Sequence, residues 1–171
     1  HTFVNDRTTA KIHINKVDKE TGKAVPQGDA KLEGAVYGLY AREQINHPDG
    51  ATGAIFKAGD LVATLTTDKN GDAEVKGLYL GKYYVKEIEP SEGYLLDEEE
   101  HDVLCDYEND LVAEVSRSTK SKEQVIKQPF QLIKVSDNGD DTEAPNLAGA
   151  EFMAYLKSSL SVKEDGSYDF A

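Results

Sequence analysis

Three scarcities limit what this chain can be: cysteine, positive charge and long apolar runs. The one cysteine, Cys105, has no partner within the chain, so no internal disulfide forms and we expect a buried structural thiol. Lysine and arginine number 19 against 32 aspartates and glutamates, for a net charge of −13. This balance argues against nucleic acids and anionic membrane surfaces as partners, because both bind basic patches. No apolar run approaches the length of a membrane span, so we expect no membrane insertion.

Side-chain sets that support catalysis or metal binding are also missing. We find no Ser/His/Asp set, no Cys/His set with zinc spacing and no glycine-rich phosphate loop. The segment from Asp68 superficially resembles a calcium loop, but Ala73 stands where that loop needs glycine and Tyr79 where it needs a bidentate glutamate. We therefore predict a turn there, no cofactor, no metal and no enzymatic activity on an external substrate.

The feature that organises the chain is a strand pattern at 11–18 with a lysine in an apolar phase. Side chains two apart share a face of a strand, so Lys16 points the same way as Ile12 and Ile14. By itself this also fits a lysine whose stem covers the sheet while its amine reaches water. A second observation favours burial, because Glu87 is an acid in phase with apolar residues of its own strand pattern.

Regular alternation and turn signals predict an all-β sandwich. No segment has sustained helical periodicity. We predict a long hairpin excursion within 41–59 and a tight turn at Asn70-Gly71. The predicted strands cover 11–18, 32–40, 61–67, 81–88, 101–107, 111–117 and a last strand at 123–128.

An internal repeat sets the predicted domain organisation. Lys16-Val17-Asp18 matches Lys134-Val135-Ser136, and Gly34-Ala35 matches Gly149-Ala150, with offsets of 134 − 16 = 118 and 149 − 34 = 115. Lys134 is again in phase with apolar residues of its strand pattern, at 130 and 132. We predict the end of a preceding domain or a linker at 1–9, a β-sandwich at 10–128 and the incomplete start of a second repeat at 129–171. His1 as first residue suggests a fragment of a longer chain.

These motifs together resemble the CnaB/SpaA-type domain of Gram-positive surface adhesins and pilins. The residues that carry the resemblance are Lys16-x-Asp18, Leu32-x-Gly34-Ala35, Thr67-Asp68-x-x-Gly71, Leu78-x-x-Gly81-x-Tyr83-x-Val85-x-Glu87 and Gly93-Tyr94. The resemblance covers about 10–128 and begins again at about 129. It implies a Greek-key, prealbumin-like β-sandwich in an extracellular protein that a sortase attaches to the cell wall, with neighbouring domains of the same chain as partners. No sortase sorting signal occurs in this sequence.

The resemblance also implies a site. In many members a lysine on the first strand forms an intramolecular isopeptide bond with an Asn or Asp on the last strand, promoted by a buried acid. By motif Lys16 is the amine, Glu87 the promoter and Lys134 the equivalent lysine of the second repeat. The chemistry is coherent because burial lowers the pKa of a lysine and raises that of a carboxyl group, which leaves a nucleophilic neutral amine beside a proton donor.

The acceptor is the point at which the sequence departs from the family pattern. The predicted last strand at 123–128 contains no Asn or Asp. Asn5, eleven residues before Lys16, matches the place at which a preceding domain would carry its acceptor (16 − 5 = 11; 134 − 11 = 123). Asn109 is the nearest alternative acceptor for Lys16, although we expect it in a turn. Without a bond, Lys16 and Glu87 would form a buried ion pair.

The leading functional interpretation is a structural stalk or spacer module of a cell-surface protein. A second is an adhesin domain that binds host matrix or glycan, with the 41–60 loop as a binding edge and aromatic contacts from Tyr37, Tyr40, Tyr79, Tyr83 and Tyr84. A third is an accessory domain of a secreted enzyme, for which the sequence offers no catalytic set.

Overall fold

The computed structural model describes residues 6–135, 149–156 and 160–169. The chain divides into two compact units, residues 1–126 and 127–171. Over the described residues every regular element is a β-strand. In that same part of the chain, no helix has the length and apolar character needed to cross a membrane.

The first unit contains nine strands between residues 6 and 126. They are β1 (Thr9–Asp18), β2 (Val36–Ala41), β3 (Ile45–Asn46), β4 (Ala54–Phe56), β5 (Leu61–Thr66), β6 (Asp72–Leu78), β7 (Gly81–Glu89), β8 (His101–Cys105) and β9 (Glu114–Glu123). The short β3–β4 pair is the hairpin predicted within 41–59.

Two sheets pack face to face and enclose the core. One has the order β6-β1-β9, in which β1 is antiparallel to β6 and parallel to β9. The other has the order β5-β2-β7-β8 and is antiparallel throughout. Alternate side chains from both inner faces fill the space between the sheets, as in other sandwiches. The large side chains with no exposed surface include Ile12, Ile14, Tyr37, Leu39, Tyr83, Val85 and Val115. The predicted all-β sandwich is confirmed.

The turn before β6 holds the C-terminal part of β1 in place. Asp68 accepts hydrogen bonds from the backbone N–H groups of Asn70 and Asp72, so its carboxylate stabilises the turn. Gly71 has a φ of 80°, and the Lys16 backbone N–H donates to its carbonyl over 2.7 Å. A Cβ on Gly71 would lie 2.6 Å from the Lys16 carbonyl oxygen, so only glycine fits.

The end of the sandwich differs from the prediction. We expected separate strands at 111–117 and 123–128, but one strand, β9, runs from Glu114 to Glu123 beside β1. Its inward positions change from apolar Val115 at one end to polar Ser121 and Glu123 at the other. The second half of β9 therefore lacks the alternation of apolar and polar residues from which a strand is predicted.

The described part of the second unit contains one short antiparallel pair, β10 (Ser161–Val162) and β11 (Tyr168–Asp169). The strand expected around Lys134 is absent from the described residues 129–135, and Phe130 is 76% exposed. A strand needs a hydrogen-bonded neighbour and a face to bury, and within the described part of this unit no element supplies either to 129–135.

Candidate functional site

Lys16 lies inside the sandwich with none of its surface exposed. It occupies β1 on the same face as Ile12 and Ile14, as the alternation predicted. Its amine also lies over the ring of Tyr94, 4.6 Å from the centroid. The alternative in which the amine reaches water is therefore wrong for this fold.

Glu87 faces Lys16 from the opposite sheet. It is 3% exposed, and its Oε1 lies 3.5 Å from Lys16 Nζ. Tyr37 on β2 is its direct cross-strand partner, so both side chains enter the core at one level. The other oxygen, Glu87 Oε2, accepts a hydrogen bond of 2.7 Å from the Asp97 backbone N–H. This bond orients the carboxyl group with Oε1 toward the amine.

The third member of the site is Glu123, which the sequence interpretation did not include. It is 1% exposed, and its Oε2 is in direct contact with Lys16 Nζ. The parallel register explains this contact, because Lys16 pairs with Ser121 and Asp18 pairs with Glu123 on adjacent strands. The interval of eleven residues before Lys134 had already led to position 123. The family pattern calls for Asn or Asp at this position, so it does not single out Glu123.

Three atoms at the centre of this site have no hydrogen-bond partner among the described residues: Lys16 Nζ, Glu87 Oε1 and Glu123 Oε2. The amine is ion-paired with both acids, so one base faces two buried carboxyl groups. Burying charged groups is costly even when they are paired. A reaction that neutralises the amine and one of the acids would remove part of that cost.

Burial shifts the ionisation of Lys16 and Glu87 toward their neutral forms. Desolvation lowers the pKa of Lys16 to about 8, although the negative charge of Glu87 acts in the opposite direction. Desolvation likewise raises the pKa of Glu87, against the Asp97 N–H bond and the attraction of Lys16. The two shifts bring the pKa values of the Lys16 amine and the Glu87 carboxyl group toward each other.

A second set of contacts surrounds the other oxygen of Glu123, Oε1. The Tyr37 hydroxyl donates to Glu123 Oε1, and the Ser121 hydroxyl lies 3.2 Å from the same oxygen. Ser121 Oγ is also 3.0 Å from Asp97 Oδ2, which His101 Nε2 approaches to 3.0 Å. Burial raises the pKa of Tyr37, so its phenol stays protonated and remains a donor.

The remaining predicted site residues are not brought to Lys16. Asn109 lies on the exposed connection between β8 and β9, where its Oδ1 accepts the Leu111 N–H over 2.9 Å. Lys134 is exposed and belongs to no strand. Asn5 lies outside the described residues.

The tyrosines considered as ligand contacts divide between core and surface. Tyr37 and Tyr83 are fully buried. Tyr40 and Tyr84 stack on the outer face of the four-stranded sheet with ring centroids 5.0 Å apart. The buried pair is unavailable to a ligand, and the stacked pair is part of a sheet surface.

One group of side chains has the spacing of metal ligands. Ligand atoms of Asp97, Glu99 and His101 lie within 4.8 Å of one another. Asp97 is already engaged by His101 and Ser121 through one oxygen, so these contacts account for its orientation without an ion. Cys105 is buried, as predicted, and burial raises the pKa of its thiol to about 11.

The stretch of chain that forms most of the sandwich matches a known family. A family model described as the SpaA prealbumin-like fold domain covers residues 10–120. The chain belongs to this family. The all-β sandwich of the SpaA domain is thus of the prealbumin type, as predicted. Lys16 and Glu87 lie within the match, and Glu123 follows it by three positions (123 − 120).

Solved structures similar to the SpaA domain include two streptococcal pilins and a Bacillus protein. GBS52, the minor pilin in the Gram-positive pathogen Streptococcus agalactiae, is 24% identical with a TM-score of 0.46, over 75% of this chain and 50% of that chain. The T6 backbone pilin of serotype M6 Streptococcus pyogenes is 28% identical with a TM-score of 0.41, over 56% and 16%. The Bacillus anthracis TIE protein is 23% identical with a TM-score of 0.45, over 70% and 18%. The matches thus cover half or less of each of these three proteins. Among curated protein sequences, none matches this chain.

Proposed function

We propose that the first unit is a stalk module of an extracellular, cell-wall-attached protein, and that an isopeptide bond between Lys16 Nζ and Glu123 Cδ holds it together. The observation that carries the proposal is the contact of a fully buried amine with a buried carboxyl group, beside a second acid. Family membership supports the structural role. The acceptor is Glu123 in place of the expected Asn or Asp.

The reaction balances with the three side chains alone. The Lys16 ammonium gives one proton to Glu87 Oε1, and the neutral amine attacks Cδ of Glu123. Glu87 then gives its proton to Oε2, which takes a second proton from Nζ and leaves as water. The products are a neutral amide and the Glu87 carboxylate. Proximity in a fixed core replaces the entropy cost of a bimolecular reaction.

The product is better suited to the core than the reactants. The reactants hold one positive and two negative groups in a place without water, whereas the amide removes one charge of each sign. Burying charges costs several kcal/mol per ion unless they are well paired. This difference supports condensation at a site that excludes water.

The strand order explains why such a bond would serve a stalk. Because β1 and β9 are parallel neighbours, the start of β1 and the end of β9 lie at opposite ends of the pair. Tension that enters along β1 would cross from Lys16 to Glu123 and leave along the chain after β9. Residues 17–122 would then stay outside the path of the force.

We further propose that residues 129–171 begin a second repeat of the same domain. Gly149 has a φ of 82°, close to the 87° of Gly34, its equivalent in the repeat. Lys134 would be the amine of that repeat. Neighbouring domains of one stalk would be its partners.

Intact mass of the purified chain tests the bond. A Lys16–Glu123 bond lowers the mass by one water relative to the sequence. The Lys16→Arg variant should keep the full mass, and Lys122→Arg, at an exposed position of β9, should lose water like the wild type. A wild-type chain with its full sequence mass would contradict the proposal.

A further inference from the structure

The two oxygens of the Glu123 carboxyl group have different neighbours. Glu123 Oε2 faces Lys16 Nζ, whereas Oε1 points toward two hydroxyl groups, those of Tyr37 and Ser121. Attack of Nζ on Cδ makes Oε2 the leaving oxygen. Negative charge then develops on Oε1, where the hydroxyls lie. The geometry has the form of an oxyanion hole, in which donors are placed in advance where charge will appear.

We propose that Tyr37 is a catalytic residue of isopeptide formation, with its hydroxyl donating to Glu123 Oε1 as that oxygen becomes negative, and that Ser121 is the second donor. This inference rests on the proposed Lys16–Glu123 bond. The donor atoms do not exchange protons with the reactants. They stabilise the tetrahedral intermediate while the proton transfers take place between Lys16, Glu87 and Oε2.

Tyr37 is suited to this role by its position. It has no exposed surface, so no water competes for Oε1 from its side. It is the cross-strand partner of Glu87, which fixes the promoter and the donor at the same level of the core. An electrostatic donor is most effective in such a dry and rigid setting.

Ser121 has a conditional role, because its hydroxyl carries one hydrogen and faces two acceptors. It lies 3.0 Å from Asp97 Oδ2 and 3.2 Å from Glu123 Oε1. As charge grows on Oε1, the hydroxyl can turn from Asp97 to Glu123. Asp97 is therefore a positioning residue, since it holds Ser121 through its carboxylate and Glu87 through its backbone N–H.

The test follows bond formation over time in the full chain. Cell-free synthesis is stopped at intervals with denaturing acid, and intact mass gives the fraction that has lost one water. Tyr37→Phe should slow the reaction by about 10²-fold, the usual effect of removing one such donor. Ser121→Ala should slow it by a smaller factor.

Tyr83→Phe is the matched control. Tyr83 is also fully buried, but its hydroxyl donates to the Tyr79 carbonyl over 2.6 Å. Its removal should leave the rate unchanged. A Tyr37→Phe chain that matures at the wild-type rate, or a Tyr83→Phe chain that is slowed equally, would overturn the role of Tyr37 while leaving the bond in place. A wild-type chain that never loses water would instead overturn the bond itself, and the role of Tyr37 with it.

Replacing Tyr37 with 3-fluorotyrosine distinguishes catalysis from packing if Tyr37→Phe fails to fold. Fluorine makes the phenol a stronger donor with little change in shape. The rate should rise above that of the wild type. An unchanged rate would contradict the proposal, since a purely structural side chain would not respond to phenol acidity.

Discussion

The amine of Lys16 and the carboxyl group of Glu123 are in direct contact, although 107 positions separate them in the sequence (123 − 16). They meet because β1 and β9 run side by side in parallel, with both side chains directed into the core. Glu87 reaches the same point from the opposite sheet. The first and last strands of the sandwich therefore bring one buried amine together with two buried carboxyl groups.

The mass that is lost when the bond forms should identify the acceptor residue. Glu123→Gln keeps the acyl carbon in place, so its bond should form with loss of one ammonia in place of one water. Glu123→Ala removes the acyl carbon and should retain its full mass. Intact mass distinguishes these outcomes, and loss of water from Glu123→Ala would show that another residue is the acceptor.

The promoter should be needed for the rate of the reaction. Glu87→Gln keeps the shape of the side chain but cannot take a proton from Lys16, so bond formation should slow by roughly 10²–10⁴-fold, the usual contribution of a general acid–base group. Glu89→Gln, at an exposed position of the same strand, is the control and should mature normally. Timed intact mass measures both, and equal rates would exclude Glu87 as the promoter.

The reaction should slow in alkaline solution. The proton that Glu87 delivers to Oε2 comes from Lys16, whose pKa is lowered to about 8. Above that pH the pair has lost this proton, so the rate should fall about tenfold per pH unit and stay level below it. The slow Tyr37→Phe chain, transferred to buffers between pH 6 and 10, allows the measurement. A rate that rises between pH 6 and 10 would contradict the proposal that the reaction needs this proton.

The site residues that the sequence identifies lie among apolar side chains, whereas those that it does not identify lie among polar ones. Lys16 and Glu87 were predictable because each interrupts a regular series of apolar side chains. Glu123 and Ser121 were not predictable, because both the inward and the outward positions are polar in the second half of β9. No series of apolar residues therefore marks its buried face. The donor role of Tyr37 depends on a contact between the two sheets, which no local sequence pattern encodes. The fold followed from alternation and turns, whereas the complete site required the register of a parallel pair distant in sequence.

Gly71 should be necessary for the stability of the domain and for the position of β1. Gly71→Ala places a methyl group 2.6 Å from the Lys16 carbonyl oxygen and must hold a φ of 80°, so it should destabilise the domain by about 1–3 kcal/mol and displace β1. Gly22→Ala meets nothing within 4 Å at a φ of 66° and should cost only about 1 kcal/mol. Thermal unfolding of both variants in the Lys16→Arg background separates the two effects. Equal losses would contradict the close approach.

The bond should shorten the extension of the domain under force. With Lys16 joined to Glu123, the 106 residues between them (122 − 17 + 1) cannot be stretched. Their extended length is about 350 Å. Single-molecule pulling should therefore show that extension in Glu123→Ala and lose it in the wild type. Equal extensions would indicate that no covalent tie limits the wild-type chain.

The most direct test of the central claim is identification of the joined peptides. Trypsin digestion of the wild-type chain, followed by tandem mass spectrometry, should yield a branched species in which the peptide carrying Lys16 is linked to the one carrying Glu123, one water lighter than their sum. Recovery of the two peptides only as separate, unmodified species would contradict the account.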